Sequence, residues 1–119
     1  MKRSHRDLKV CQEAVELVQH VYQLTSSFPV QEQFGLMAQL RRAAVSVPAN
    51  VAEGCARSGT KELIHFLSIA QGSLSELDTL TELAHRLGYV RDVGDIRTKI
   101  DAVSGLTMGL AASLRRRAT

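Results

Sequence analysis

One segment of the chain, residues 40–54, carries polar side chains at a spacing that could do chemistry. Four of them recur at intervals of four, four and three residues and therefore share one face of a helix: Arg42, Ser46, Asn50 and Glu53. We call this set the polar stripe. Arg41 and Arg57 flank it.

Pro48 lies inside the same segment, and it leaves two interpretations of the stripe open. Proline removes one backbone donor and presses on the carbonyl of Ala44, which costs about 3 kcal/mol or bends the helix. Ser46 and Asn50 could compensate by hydrogen bonding to the bent backbone. Alternatively, the stripe is a solvated face whose Arg–Glu pair contributes a fraction of a kcal/mol. We expect the stripe to face a partner helix or a neighbouring subunit.

Recognised catalytic and metal-binding patterns are absent from the sequence. Four histidines lie on different predicted elements, and none belongs to an H-E-x-x-H pair: His5, His20, His65 and His85. There is no G-x-S-x-G elbow, phosphate-binding loop or dinucleotide fingerprint. We therefore predict no cofactor and no metal site, and we disfavour an enzyme. An enzyme that uses Glu53 with Asn50 and Arg57 is kept as a further alternative to a binding role.

Two cysteines stand apart in the sequence and form no metal or disulfide framework. Cys11 falls on an apolar stripe and is expected in the core, whereas Cys55 could be an exposed thiol. No apolar run approaches the length of a signal peptide core or a membrane span. These features favour a cytoplasmic protein without a membrane partner.

The basic excess is small overall and concentrated at the ends of the chain. The formal net charge is +3, with Lys2, Arg3 and Arg6 near the start and residues 115–117 near the end. These clusters are either solvated termini or a patch that contacts phosphates. We predict six nucleic-acid contacts: Arg41, Arg57, Lys61, Arg115, Arg116 and Arg117. Only 4% of residues are aromatic and they are scattered, so a base-stacking surface is not expected.

Apolar residues recur every three or four positions in four segments, which is the spacing of amphipathic helices. The segments cover about residues 7–26, 33–53 and 61–87, and a last one from Asp92 or Val93. Pro29 should stop the first helix, while Gly54 and Gly88 are expected to end the second and third. The short connections favour an antiparallel, up-down-up-down four-helix bundle, all-α and a single domain over residues 1–119.

Small residues form two faces where another backbone could approach closely. On helix three these are Ser68, Gly72, Ser75 and Thr79, and on helix four they are Gly105, Gly109 and Ala112. Glycine inside a helix costs up to about 1 kcal/mol relative to alanine, so these glycines indicate tight packing. The spacing leaves open whether the partner helix belongs to the same chain or to a second subunit.

Two longer segments resemble a known family. Residues 41–54 read RRAAVSVPANVAEG, and residues 61–77 read KELIHFLSIAQGSLSEL. They closely resemble the four-helix bundle proteins encoded in intervening sequences of bacterial 23S rRNA genes. The resemblance extends from residues 7–8 to residues 87–89. Ala49 stands where serine is frequent in that family, and the arginines at 115–117 match none of its motifs.

The resemblance implies an antiparallel four-helix bundle that assembles as a homopentamer. It also implies an architectural relation to the accessory variability proteins of diversity-generating retroelements, which are basic pentamers that partner a reverse transcriptase and nucleic acid. Our leading hypothesis is a non-enzymatic homo-oligomer that binds structured RNA or a nucleoprotein partner through basic surfaces. The alternative is a structural or protein-partner module that binds no nucleic acid.

Overall fold

Four long α-helices account for most of the chain. The computed structural model describes residues 5–118, and its helices are α1 (Lys9–Thr25), α2 (Leu36–Ala56), α3 (Thr60–Arg86) and α4 (Gly94–Ala118). Two short 3-10 turns, His5–Asp7 and Val30–Glu32, precede α1 and α2. No strand occurs within residues 5–118, which confirms the all-α prediction.

Neighbouring helices run antiparallel, because residues late in one helix contact residues early in the next. Along α2 and α3, Gly54 lies against Leu63 while Ser46 bonds to Ser73. Two pairs show the same order between α3 and α4: Glu82 with Arg97, and Gln71 with Ser104. The helices α1 and α3 each pack against both α2 and α4, so the four form a closed bundle about 48 Å long and about 20 Å across.

The core runs along the bundle axis and consists almost wholly of aliphatic side chains. The largest fully buried ones include Leu17, Leu40, Leu67, Leu74, Leu77 and Ile96. Three threonines are also buried, and each donates its hydroxyl to the carbonyl four residues earlier at 2.8 Å: Thr25, Thr81 and Thr107. Those bonds satisfy the buried hydroxyls inside their own helices.

The end of α3 confirms the expectation for Gly88. Its φ of +84° lies in the left-handed region, which glycine enters without strain. The Gly88 amide donates to the His85 carbonyl and the Tyr89 amide to the Ala84 carbonyl, at 3.0 and 2.9 Å. This is the Schellman arrangement that closes a helix C-terminus.

The expectation that Gly54 ends α2 is wrong. The helix continues to Ala56, and Gly54 is buried against α3. A Cβ atom at this position would lie 2.9 Å from Leu63 Cδ1 and 2.9 Å from Phe66 Cβ. Glycine is therefore needed here because two helices approach closely, and not because a backbone must turn.

The helix α2 also starts later than predicted, at Leu36. The Glu32 carboxylate accepts the Leu36 amide at 3.0 Å, so a side chain from the preceding turn satisfies one of the open donors at the helix start. The helix is continuous through Pro48.

The small-residue faces point outward. Gly72, Gly105 and Gly109 are exposed, and a Cβ atom added at each would meet nothing within 4 Å. Packing inside the described chain does not account for these glycines.

Candidate nucleic-acid interface

The antiparallel topology gathers five of the six predicted nucleic-acid contacts at one end of the bundle. Arg57 follows α2, Lys61 lies in the first turn of α3, and Arg115, Arg116 and Arg117 lie in the last turn of α4. We call these five residues the basic end. Arg115 lines a cleft with Leu67 and Ser68 of α3, which places the end of α4 beside the start of α3.

All five side chains of the basic end are exposed. The arginines of α4 sit where the carbonyl end of the helix carries partial negative charge, which favours cations there. Arg57 donates to the Glu53 carboxylate at 3.3 Å, and both side chains are about half exposed. Its guanidinium carbon also lies 5.4 Å from the centre of the Phe66 ring. Such a surface can contact phosphates without breaking buried interactions.

Arg41 does not join this group. It lies at the opposite end of the bundle, where its Nε donates to the Thr25 hydroxyl at 2.8 Å. A terminal nitrogen donates to the Tyr22 carbonyl at 3.3 Å, and the guanidinium carbon stands 4.3 Å from the Tyr22 ring centre. Lys2 and Arg3 lie outside the described residues.

The structure divides the polar stripe into two parts. Ser46 and Asn50 are half-buried at the seam between α2 and α3, where Ser46 Oγ lies 2.5 Å from Ser73 Oγ. Arg42 is exposed and lines a shallow cleft with Glu76, while Glu53 is exposed beside Arg57. Whether this stripe also meets a second subunit stays a prediction.

Asn50 bonds to the backbone near Pro48, though not to the carbonyl that the proline deprives. Its Nδ2 donates to the Ser46 carbonyl at 2.8 Å and lies 3.2 Å from the Ser46 hydroxyl. The carbonyl that loses its donor to Pro48 belongs to Ala44. Asn50 therefore stabilises the turn that contains Pro48 and orients Ser46 toward Ser73.

At the opposite end, side chains tie the two connecting segments together. The Tyr89 hydroxyl donates to the Glu32 carboxylate at 2.9 Å, and the Tyr89 and Phe28 ring centres are 5.4 Å apart. The Leu36 amide and the Tyr89 hydroxyl both donate to the Glu32 carboxylate and lower its pKa. The hydrogen bond between Tyr89 and Glu32 also raises the pKa of Tyr89. Arg86 and Arg97 both donate to Glu82, and they lower the pKa of that carboxyl.

Sequence reasoning missed a groove beside this end. Its volume is about 810 Å³, and Tyr22, Phe34, Arg41 and Arg42 are among its lining residues. Three of the five Phe and Tyr residues, which are scattered in the sequence, thus line one groove: Tyr22, Phe28 and Phe34. The predicted second helix begins at residue 33 and includes Phe34, whereas the structure places Phe34 in the turn before α2.

The cysteines and the other potential metal ligands in the described residues form no recognisable site. Cys11 is buried, and burial raises the pKa of its thiol; Cys55 is half-buried. Within residues 5–118, no group of three His, Cys, Asp or Glu side chains is placed to hold a metal ion. None of the helices in that range combines the length and apolarity needed to cross a bilayer.

Comparison with known proteins identifies a family. The model of a family described as 23S rRNA-intervening sequence protein matches residues 6–109, which include all of α1, α2 and α3 and most of α4. The match stops before the arginines of the last α4 turn. No curated protein matches the chain.

Proposed function

The chain belongs to the 23S rRNA-intervening sequence protein family, and from that premise we propose that it is a non-enzymatic, homo-oligomeric module that binds structured RNA, or a nucleoprotein, through its basic end. The family's description links its members to ribosomal RNA, which makes RNA the first partner to test. We further propose a pentameric assembly, as the family resemblance implies, and a cytoplasmic location.

The convergence of five cations from three helices carries this proposal. Arg57, Lys61 and residues 115–117 are far apart in sequence, yet the topology places them at one end of the bundle. Phosphate contacts supply most of the sequence-independent affinity for nucleic acid, and each contact releases counterions. An exposed cationic surface on the rigid ends of helices is suited to that role.

Assembly would strengthen the same field. Five copies at +3 each carry a formal charge of +15, so a modest charge per chain becomes a considerable potential on the oligomer. The basic ends of neighbouring copies would add to one another if they face the same side of a ring.

The polar stripe receives no catalytic role in this proposal. Asn50 already bonds to Ser46, and Glu53 already bonds to Arg57. Asn50, Glu53 and Arg57 were the residues of the enzyme hypothesis, and these bonds support a structural role for them.

Fluorescence polarisation against labelled duplex and single-stranded RNA, across a salt series, tests the proposed function. We expect binding at low salt and a logarithmic affinity that falls linearly with the logarithm of salt concentration. Absence of binding at low salt, or an affinity without a salt slope, would contradict an electrostatic RNA interface.

One observation favours the second candidate function, a structural module that recognises protein. The outward faces of α3 and α4 present Gly72, Gly105 and Gly109 with open space above them, which would let another helix approach closely. A pull-down that recovers a protein partner without nucleic acid, and that is unchanged when residues 115–117 become alanine, would favour this candidate.

A further inference from the structure

The groove between α1 and the start of α2 has the composition of a site for unpaired nucleotides. Phe34 is 90% exposed and Val30 is 80% exposed, which is unusual for large apolar side chains. Both line the same groove of about 810 Å³. Neither side chain has a packing role that would explain its place on the surface.

Two guanidinium groups stand on the wall of this groove. Arg41 is held in place by the Thr25 hydroxyl, the Tyr22 carbonyl and the face of the Tyr22 ring. Arg42 is exposed beside it. A guanidinium that is already fixed loses little conformational freedom when it binds a phosphate.

The described residues that line the groove include no aspartate and no glutamate. Gln33 and Ser26 add an amide and a hydroxyl at its rim. The lining thus offers an open aromatic ring, hydrogen-bonding groups for base edges and positive charge, with no carboxylate to repel a phosphate. Proteins that bind single-stranded nucleic acid combine these features.

Contacts with the α3–α4 connection also hold the groove in shape. Phe28 forms part of its wall and packs against Tyr89, whose hydroxyl bonds to Glu32. Glu32 in turn accepts the first amide of α2, at Leu36. The segment that presents Phe34 is therefore tied to the start of α2 and to the α3–α4 connection, so binding need not pay for ordering it.

We infer that this groove binds unpaired nucleotides of RNA, with a base stacked on Phe34 and phosphates against Arg41 and Arg42. The inference rests on the proposed function and adds the class of ligand: single-stranded RNA here, in addition to the backbone contacts of the basic end. It also assigns a role to Arg41, which the fold separates from the other predicted contacts.

Substitutions at Phe34 test the inference, because a ring this exposed contributes little to the core. The probes are a short single-stranded RNA and a blunt RNA duplex of equal length, measured with the full-length protein by fluorescence polarisation. We expect Phe34→Leu to weaken binding of the single strand roughly tenfold, because the apolar side chain remains while base stacking is lost. Phe34→Tyr should retain it. Duplex binding should be unchanged in both variants.

Leu87→Ala provides the matched control. Leu87 is 52% exposed at the same end of the bundle and does not line the groove, so both RNA affinities should stay at wild-type values. Light scattering on the same samples should give the wild-type mass for every variant.

The outcomes separate this inference from the proposed function. Wild-type protein that binds neither probe contradicts the proposed function, and the inference falls with it. Wild-type protein that binds the single strand, with equal affinity in Phe34→Leu, overturns the groove assignment alone. A change of oligomeric mass in Phe34→Leu also overturns it, because the groove would then be covered by a second copy.

Discussion

The two ends of the bundle use their charged and polar side chains in different ways. At the end formed by the α1–α2 and α3–α4 connections, Arg86 and Arg97 converge on Glu82, and Tyr89 bonds to Glu32. At the basic end, Lys61 and the arginines at 115–117 are exposed, and Arg57 has a half-exposed ion pair with Glu53. The Arg97–Glu82 pair and the Tyr89–Glu32 bond at the first end join different segments of the fold, whereas the cations of the basic end face outward.

The difference follows from the connections themselves. Three residues, 57–59, join α2 to α3, and the helices pack closely at Gly54 beside this connection. The other end has two longer connections, which need side-chain bonds to fix their course. The cations beside this short connection lie on the surface of the bundle.

The largest expected effect comes from breaking the packing beneath the basic end. Gly54→Ala places a Cβ atom 2.9 Å from Phe66 Cβ, which cannot move without shifting α3. We expect a loss of about 1–3 kcal/mol in the free energy of unfolding, because overpacking outweighs the helix propensity gained. Urea unfolding followed by circular dichroism measures it.

Gly72→Ala is the matched control in the middle of α3. The new methyl group would meet nothing within 4 Å, so stability should rise by about 0.5–1 kcal/mol. A loss of stability in this variant, or a smaller oligomeric mass, would show instead that another chain packs on Gly72.

A smaller effect on stability is expected at the seam between α2 and α3, which lies between the two ends of the bundle. Ser46→Ala removes the hydroxyl contact with Ser73 and one neighbour of Asn50, while Ser73 keeps a 3.3 Å bond to the Ile69 carbonyl. The free energy of unfolding should fall by about 0.5–1.5 kcal/mol. Arg42→Ala, an exposed member of the same stripe, should stay within about 0.5 kcal/mol of wild type. Equal losses in both variants would contradict the division of the stripe.

The smallest effect concerns the pH dependence of the tie between the connections. The pKa of Glu32 is below its ordinary value of 4.5, so its stabilising contribution is present above that pH and is lost as pH falls through the folded-state pKa. The pKa of Tyr89 is above 10.0, so its contribution is present below that pH and is lost as pH rises.

Tyr89→Phe keeps the ring against Phe28 and removes only the hydroxyl. Thermal unfolding across pH should show a weaker loss of stability in acid, though not its disappearance, because the Leu36 amide still lowers the pKa of Glu32. The contribution lost above pH 10 should vanish. An unchanged profile at both extremes would mean that this hydrogen bond does not tie the connections.

Much of the fold follows from helical periodicity, and the errors in it have identifiable causes. The apolar stripes predicted four helices, and Gly88 was placed at its left-handed cap. Gly54 was misjudged because a glycine that ends a helix and one that admits a neighbouring helix look alike in one dimension. The start of α2 was misjudged because a side chain from an earlier turn, Glu32, satisfies its first amide.

Less of the candidate site than of the fold could be predicted from the sequence. Residues 115–117 and Lys61 were each visible as cations, but their proximity depends on the direction of α3 and α4. The groove could not be predicted for the same reason. Tyr22 and Phe34 lie on different elements, and only the α1–α2 connection brings them together. The distance of Arg41 from the other five predicted contacts likewise depends on the topology.

The comparison of the two ends is tested most directly by removing three positive charges from one end at a time. One variant replaces Arg115, Arg116 and Arg117 with alanine. The other replaces Arg86 at the end of α3, Arg91 in the α3–α4 connection and Lys99 in the second turn of α4, whose amine lies 3.8 Å from the Glu16 carboxylate. Both lose the same formal charge, and duplex RNA binding is measured across a salt series. We predict that only the first variant loses affinity, with a salt slope shallower by about 0.9 for each arginine that contacts a phosphate. Equal losses in the two variants would contradict a specific interface at the basic end.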